Sequence, residues 1–195
     1  SLFLFYGAIA YPYTELQKCD IEKVISRDST FYYASLVNDY FMRNYPDPTA
    51  NSFVGGKKRN SRIWTRGVYY EGLMSMYRQT PVEKWYDYTQ EWGDFHKWIS
   101  NDTKAADFHC CGMAYLDMYM LDTLQTIRKT HIKNHIDALM YERKSIDDWY
   151  WVDAVHMAMP IYAQLGSIEN DDRYFEYMYD MYMFTRDKQG DTGKS

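Results

Sequence analysis

Apolar residues recur every three to four positions along almost the whole chain, and strict apolar–polar alternation is scarce. That spacing commits the chain to helices, each with one stripe to bury. It predicts helices over residues 20–44, 64–79, 81–99, 106–122, 124–142, 149–166 and 169–185. The breaks between most of them are short, so successive helices pack antiparallel and the repeating unit is a helical hairpin. The punctuation agrees. Thr80-Pro81 puts a proline at a first helical position, Asp147 and Asp148 supply caps for the helix at 149, and Gly166 supplies a stop. The expected class is all-α. One connection differs: NYPDPTANSFVGGKKRNSR (44–62) is a long loop, a length that is often functional. Its basic end, KKRNSR, reads either as a solvated turn or as an attraction for an acidic ligand.

With 195 residues, the chain can build one domain with a sizeable core. Aromatic residues reach 18%, including 21 Tyr and 6 Trp. Such rings serve cores and sugar-stacking surfaces alike, and the core is the default use. A net charge of −5 argues against nucleic acid, which needs a concentrated basic face. No run is long enough for a transmembrane helix, so no membrane partner is expected. Three cysteines (Cys19, Cys110, Cys111) make no disulfide framework. The opening block SLFLFYGAIAYPY fits the tail of a secretory leader, which would favour a periplasmic or secreted setting over the cytoplasm. It fits an N-terminal extension packed on the domain equally well, and residues 1–20 are set apart for that reason. TRDKQGDTGKS (185–195) reads as a polar loop with no concluding element.

Three stretches carry candidate chemistry. In DDWYWVDAVHMAMP, Asp153 stands among Trp149, Trp151, Met157 and Pro160 on a predicted helix, with Trp149, Asp153 and His156 on one stripe. A carboxyl in such surroundings is expected to be desolvated, which favours its protonated form and suits a general acid. The alternative is a structural Asp paired with an arginine or a backbone amide. In ADFHCCGMAYLDMY, Asp107 sits at a helix start, where capping is the ordinary explanation, and His109 follows two residues later. Gly112 inside that helix implies close approach of another helix or a ligand. In RIWTRGVYYEGLMSMY, Trp64 shares a face with Gly67, Val68 and Glu71; Gly67 and Gly72 imply tight packing or an opening beside Trp64. His131 and His135 are spaced like a pair of zinc ligands, but HIKNH lacks the metalloprotease glutamate. No metal or cofactor is expected, and no phosphate loop or nucleophile elbow is present.

Taken in order, IWTRGVYYEGLM, the DxxxxG of Asp107 to Gly112 with AYLDMY, and DDWYWVDAVHMAMP resemble the unsaturated glucuronyl and rhamnogalacturonyl hydrolases of glycoside hydrolase families 88 and 105. The resemblance implies an (α/α)6 barrel, two concentric rings of helices around a cleft. With seven predicted helices, residues 1–195 look like roughly the N-terminal half of that catalytic domain. It also implies removal of an unsaturated uronate from the non-reducing end of lyase-generated oligosaccharides, of pectin or rhamnogalacturonan type, by hydration of the C4=C5 enol ether. By resemblance Asp153 is the acid/base, and Asp107, Trp64, Trp151 and His109 contact substrate. Met113 departs from the polar residue usual in relatives, which leaves the aglycone open. Unpartnered helix faces are expected to drive self-association. Competing readings are a non-catalytic glycan-binding or scaffold protein and a different (α/α)6 sugar enzyme such as an epimerase.

Overall fold

The computed structural model describes residues 26–101 and 103–190; the leader-like block, Cys19, the start of the first predicted helix and the last five residues lie outside them. The chain divides into two compact units. One carries helix α1 (Arg27–Asn44). The other, Tyr45–Gly190, holds a two-stranded sheet, β1 (Ser52–Val54) and β2 (Lys57–Arg59), and six helices. These are α2 (Trp64–Gln79), α3 (Glu83–Phe95), α4 (Cys111–Leu121), α5 (Ile127–Asp137, prolonged by a π-helical turn to Arg143), α6 (Asp153–Glu169) and α7 (Arg173–Gln189).

In the second unit α2, α4 and α6 pack side by side, and α3, α5 and α7 each fold back on the inner helix before or beside them. This is the alternation of inner and outer layers of an (α/α)6 barrel. α4 is its axis. The sequence CGMAYLDMYML has no polar face, and Cys111 through Leu116 and Met118 are all buried, as a helix enclosed on every side must be. Gly112 faces packing rather than a ligand: a Cβ there would lie 2.7 Å from Ile132 and 3.2 Å from Ile161. Part of the aromatic excess lies in this core. Tyr70 stacks on Trp92 with centroids 3.8 Å apart, and Tyr115 sits 5.2 Å from both Trp92 and Trp98. Fully burying such a ring is worth about 1.5–3 kcal/mol, and these four join α2, α3 and α4. Cys110 and Cys111 are free thiols within the same interior.

The 44–62 loop is not all irregular. Gly55 and Gly56, both at positive φ (60° and 72°), turn a small antiparallel hairpin in which Ser52 faces Arg59. Two consecutive glycines allow the turn that matches the twist of the strands. Three punctuation marks fall elsewhere. Pro81 precedes α3, which begins at Glu83. Gly166 lies inside α6, where a Cβ would meet Phe175 at 2.7 Å, and the helix stops at Asn170 in the left-handed region. Asp147 and Asp148 stand ahead of α6, which starts at Asp153 with Val152 as its N-cap. Connections differ by end: 80–82, 122–126 and 170–172 are short, whereas 45–63, 96–110 and 144–152 are longer. Among the described residues no helix is long and apolar enough to cross a membrane.

Candidate active site

The inner helices run in one direction. A Cβ on Gly67 would touch Cys110 Sγ at 2.6 Å, so the first turn of α2 abuts the start of α4. Further along, His156 Nε2 lies 3.3 Å from Glu71 Oε2, and Gln164 donates to Asp117 at 2.9 Å. Arg78 pairs with Asp117 below them. Parallel order places the N-terminal ends of α2, α4 and α6, and the longer connections, at one end.

A notch of about 50 Å³ opens there, lined by Asp107, Asp148, Tyr150, Trp151, Asp153 and Met157 with small residues between them. Asp107 comes from the single 3-10 turn Ala106–Phe108 before α4, and Asp153 is the first residue of α6. Neither carboxylate has a hydrogen bond or ion pair among the described residues. The capping role expected of Asp107 is not used, and neither is the structural pairing considered for Asp153.

The residues ahead of Asp153 are not helical. Trp149 is buried edge-on against Tyr162 at 5.6 Å, and its carbonyl accepts from Thr185 Oγ1 at 2.7 Å. Anchored this way, the WYW segment turns Trp151 outward to 65% exposure. The predicted stripe through Trp149, Asp153 and His156 therefore does not exist. The desolvation expected at Asp153 is also absent, since its side chain is exposed in the first turn of α6. It falls instead on Asp107. Burial pushes the Asp107 carboxyl above the usual carboxylate range, the Asp153 charge pushes it further, and Arg59 opposes both. Asp148, which the sequence presented as a cap, is a buried third acid with Lys104 Nζ at 3.8 Å. Only the long-range packing of 144–152 could have revealed it.

Two predicted contact residues stand apart from the notch. Trp64, 38% exposed, opens α2 but is not in the lining. His109 is turned into the interior, 1% exposed, with its Nε2 2.9 Å from that of His135. Burial, then the charge of His135, lowers its pKa to about 4. Gly67 is a packing residue, as noted, whereas Gly72 faces open space. Among the described residues no group of three His, Cys, Asp or Glu is arranged to hold a metal ion.

Comparison with known proteins fits this architecture. The model of glycosyl hydrolase family 88 matches residues 33–194. A solved structure of a family 88 glycosyl hydrolase from Bacteroides vulgatus aligns with a TM-score of 0.69 and 22% identity, over 79% of this chain and 45% of that one. A second, described as a polysaccharide lyase, aligns with a TM-score of 0.69 and 19% identity, over 80% and 46%. The chain thus spans less than half the length of either structure. No curated protein matches it.

Proposed function

The chain belongs to glycosyl hydrolase family 88, and from that premise we propose that it acts in removing an unsaturated uronate from the non-reducing end of oligosaccharides left by polysaccharide lyases. Pectin-derived, rhamnogalacturonan-type oligosaccharides are the favoured substrates. The observation that carries the reading is the pair of unpartnered carboxylates, Asp107 and Asp153, on one notch beside the exposed ring of Trp151. Carboxyl groups without structural partners are free to exchange protons, and an exposed tryptophan offers a sugar an apolar face.

Size helps to assign positions. A cavity needs only ~10–15 Å³ of such space for a water, so a notch of about 50 Å³ holds a water and is too small to enclose a sugar ring. The ring lies across the mouth, on Trp151, with the water beneath. In the proposed reaction the two acids share one proton, which Asp153 delivers to C4 of the enol ether while the water oxygen bonds to C5. The proton that this water loses returns to Asp153. The C5 hemiketal opens by breaking C5–O5, its hydroxyl proton passing to O5 as C5 becomes a ketone; the C1 hemiacetal so formed collapses to an aldehyde, and the leaving sugar departs with its oxygen and that proton. Asp107, partly buried and raised by the Asp153 charge, keeps a proton close to the reacting centre and limits the negative charge facing an anionic substrate. Trp64 forms the rim on the α2 side.

The test is the ultraviolet absorbance of the C4=C5 chromophore with an unsaturated uronyl disaccharide and the natural full-length polypeptide. Absorbance is expected to fall with wild type and to persist with Asp153→Asn at unchanged helicity. Near-wild-type turnover by that variant would leave Asp153 a surface residue and favour a glycan-binding role.

A further inference from the structure

The notch is acidic, yet the substrate class proposed for it is anionic. Three carboxylates (Asp107, Asp148, Asp153) line it, and Lys104 lies against Asp148. Like charges brought close together repel. A uronate placed over this surface needs a cation of its own.

The hairpin supplies one. Among the arginines of this unit whose side chains are described, Arg62, Arg66, Arg78, Arg128, Arg173 and Arg186 all have hydrogen-bond partners. Arg59 has no hydrogen bond or ion pair among the described residues, and its Nε is buried without an acceptor. A buried donor left unsatisfied is destabilising, so its retention calls for an acceptor that arrives from outside. Position agrees. Arg59 stands opposite Ser52 at the base of the hairpin. Ser52 Oγ bonds Thr65 Oγ1 at 2.6 Å, which fixes that base to the first turn of α2 beside Trp64. That turn abuts Cys110, three residues after Asp107. The Arg59 charge is felt at Asp107 without forming an ion pair with it, so the guanidinium is not neutralised there.

Resting on the uronate reading above, we propose that Arg59 is the residue that binds the substrate's C6 carboxylate, gripping it from the hairpin side of the notch. Planar guanidinium and carboxylate match as two parallel charge-assisted hydrogen bonds, a geometry lysine does not reproduce. Lys57 and Lys58, exposed on the same hairpin, add attraction at longer range.

The experiment has two arms on the natural full-length polypeptide. In the first, kcat/KM is measured for an unsaturated uronyl disaccharide and for its C6 methyl ester, with wild type, Arg59→Lys and Arg59→Gln. The preference for acid over ester is expected to fall about 10- to 100-fold in Arg59→Gln, and less in Arg59→Lys. A merely structural role for the arginine would lower both substrates together, and that result overturns the proposal, as does an unchanged preference. In the second arm, binding of the unsaturated uronate monosaccharide is followed by calorimetry. Binding that is lost in Arg59→Gln, in a protein with no turnover, supports the arginine while refuting the hydrolase reading. No binding by wild type overturns the arginine assignment.

Discussion

The two ends of the inner helices treat their acids in opposite ways. Midway down, Asp117 is partly buried, and that burial raises its carboxyl just as it raises that of Asp107. But Asp117 is held by Arg78 and by Gln164, whereas Asp107 and Asp153 are held by nothing among the described residues. Desolvation alone does not separate a structural acid from a chemical one. The presence of a partner does: it converts a buried charge into part of the packing, and its absence leaves a group that can exchange protons with a ligand.

Breaking the chemical end should give the largest effect. Loss of a positioned acid/base typically costs ~10²–10⁴-fold in rate, so Asp153→Asn should lower kcat/KM by that order without shifting the thermal midpoint. A comparable loss of stability would erase the contrast with Asp117. The next effect belongs to pH. His109 and His96 are both buried and both lowered to about 4 from an ordinary 6.5, chiefly by burial. Histidines kept neutral in the fold protonate more readily once unfolded. Their stabilising contribution is full above pH 6.5 and is lost as pH falls towards 4, by on the order of 3 kcal/mol each at most. Thermal melts between pH 7 and 4.5 check this; a flat midpoint would show that neither ring is held neutral.

Smaller effects sharpen the contrast. Asp117→Ala should cost stability, about 1–3 kcal/mol for the orphaned partners, with the exposed half of Arg78 keeping it near the lower figure. Its acid–ester preference should not change. Trp151→Ala should raise KM several-fold, in line with ~1 kcal/mol for an exposed aromatic contact, and leave folding untouched. The smallest signal is electrostatic. Since the Asp153 charge helps to raise Asp107, Asp153→Asn should move the Asp107 carboxyl back towards its ordinary value. Carbon-13 titration of labelled aspartate would read the shift, and an unmoved resonance would mean the two acids do not face one another.

Helix class was legible because periodicity is a local property. α2 was predicted at Trp64–Gln79, where it is found. The start of α6 was not, since WYW at 149–151 continues a helical pattern in sequence. What ends that pattern is Thr185 and Tyr162, brought from α7 and from later in α6 to pin Trp149. The hairpin had a readable signal in SFV-GG-KKR, but its strands are only three residues each. At the site, motif resemblance named Asp107 and Asp153 together, while local composition assigned the desolvation to the wrong one. Burial depends on which segments turn outward, and aromatic neighbours in sequence do not determine it. Arg59 and Asp148 became visible only when tertiary contacts showed which charges were already matched.

The unequal connections carry a consequence for how such a protein can diversify. On the far side, three to five residues join each inner helix to its outer mate, and an insertion there would pry apart packed helices. On the near side, 45–63, 96–110 and 144–152 already wander before each inner helix begins, and two of them deliver Arg59 and Asp107. Lengthening or exchanging these segments would redraw the surface around the notch and leave the helical frame unchanged. Laboratory evolution aimed at new oligosaccharides should concentrate its insertions there, and a library placed at 80–82 or 170–172 should return mostly unfolded chains.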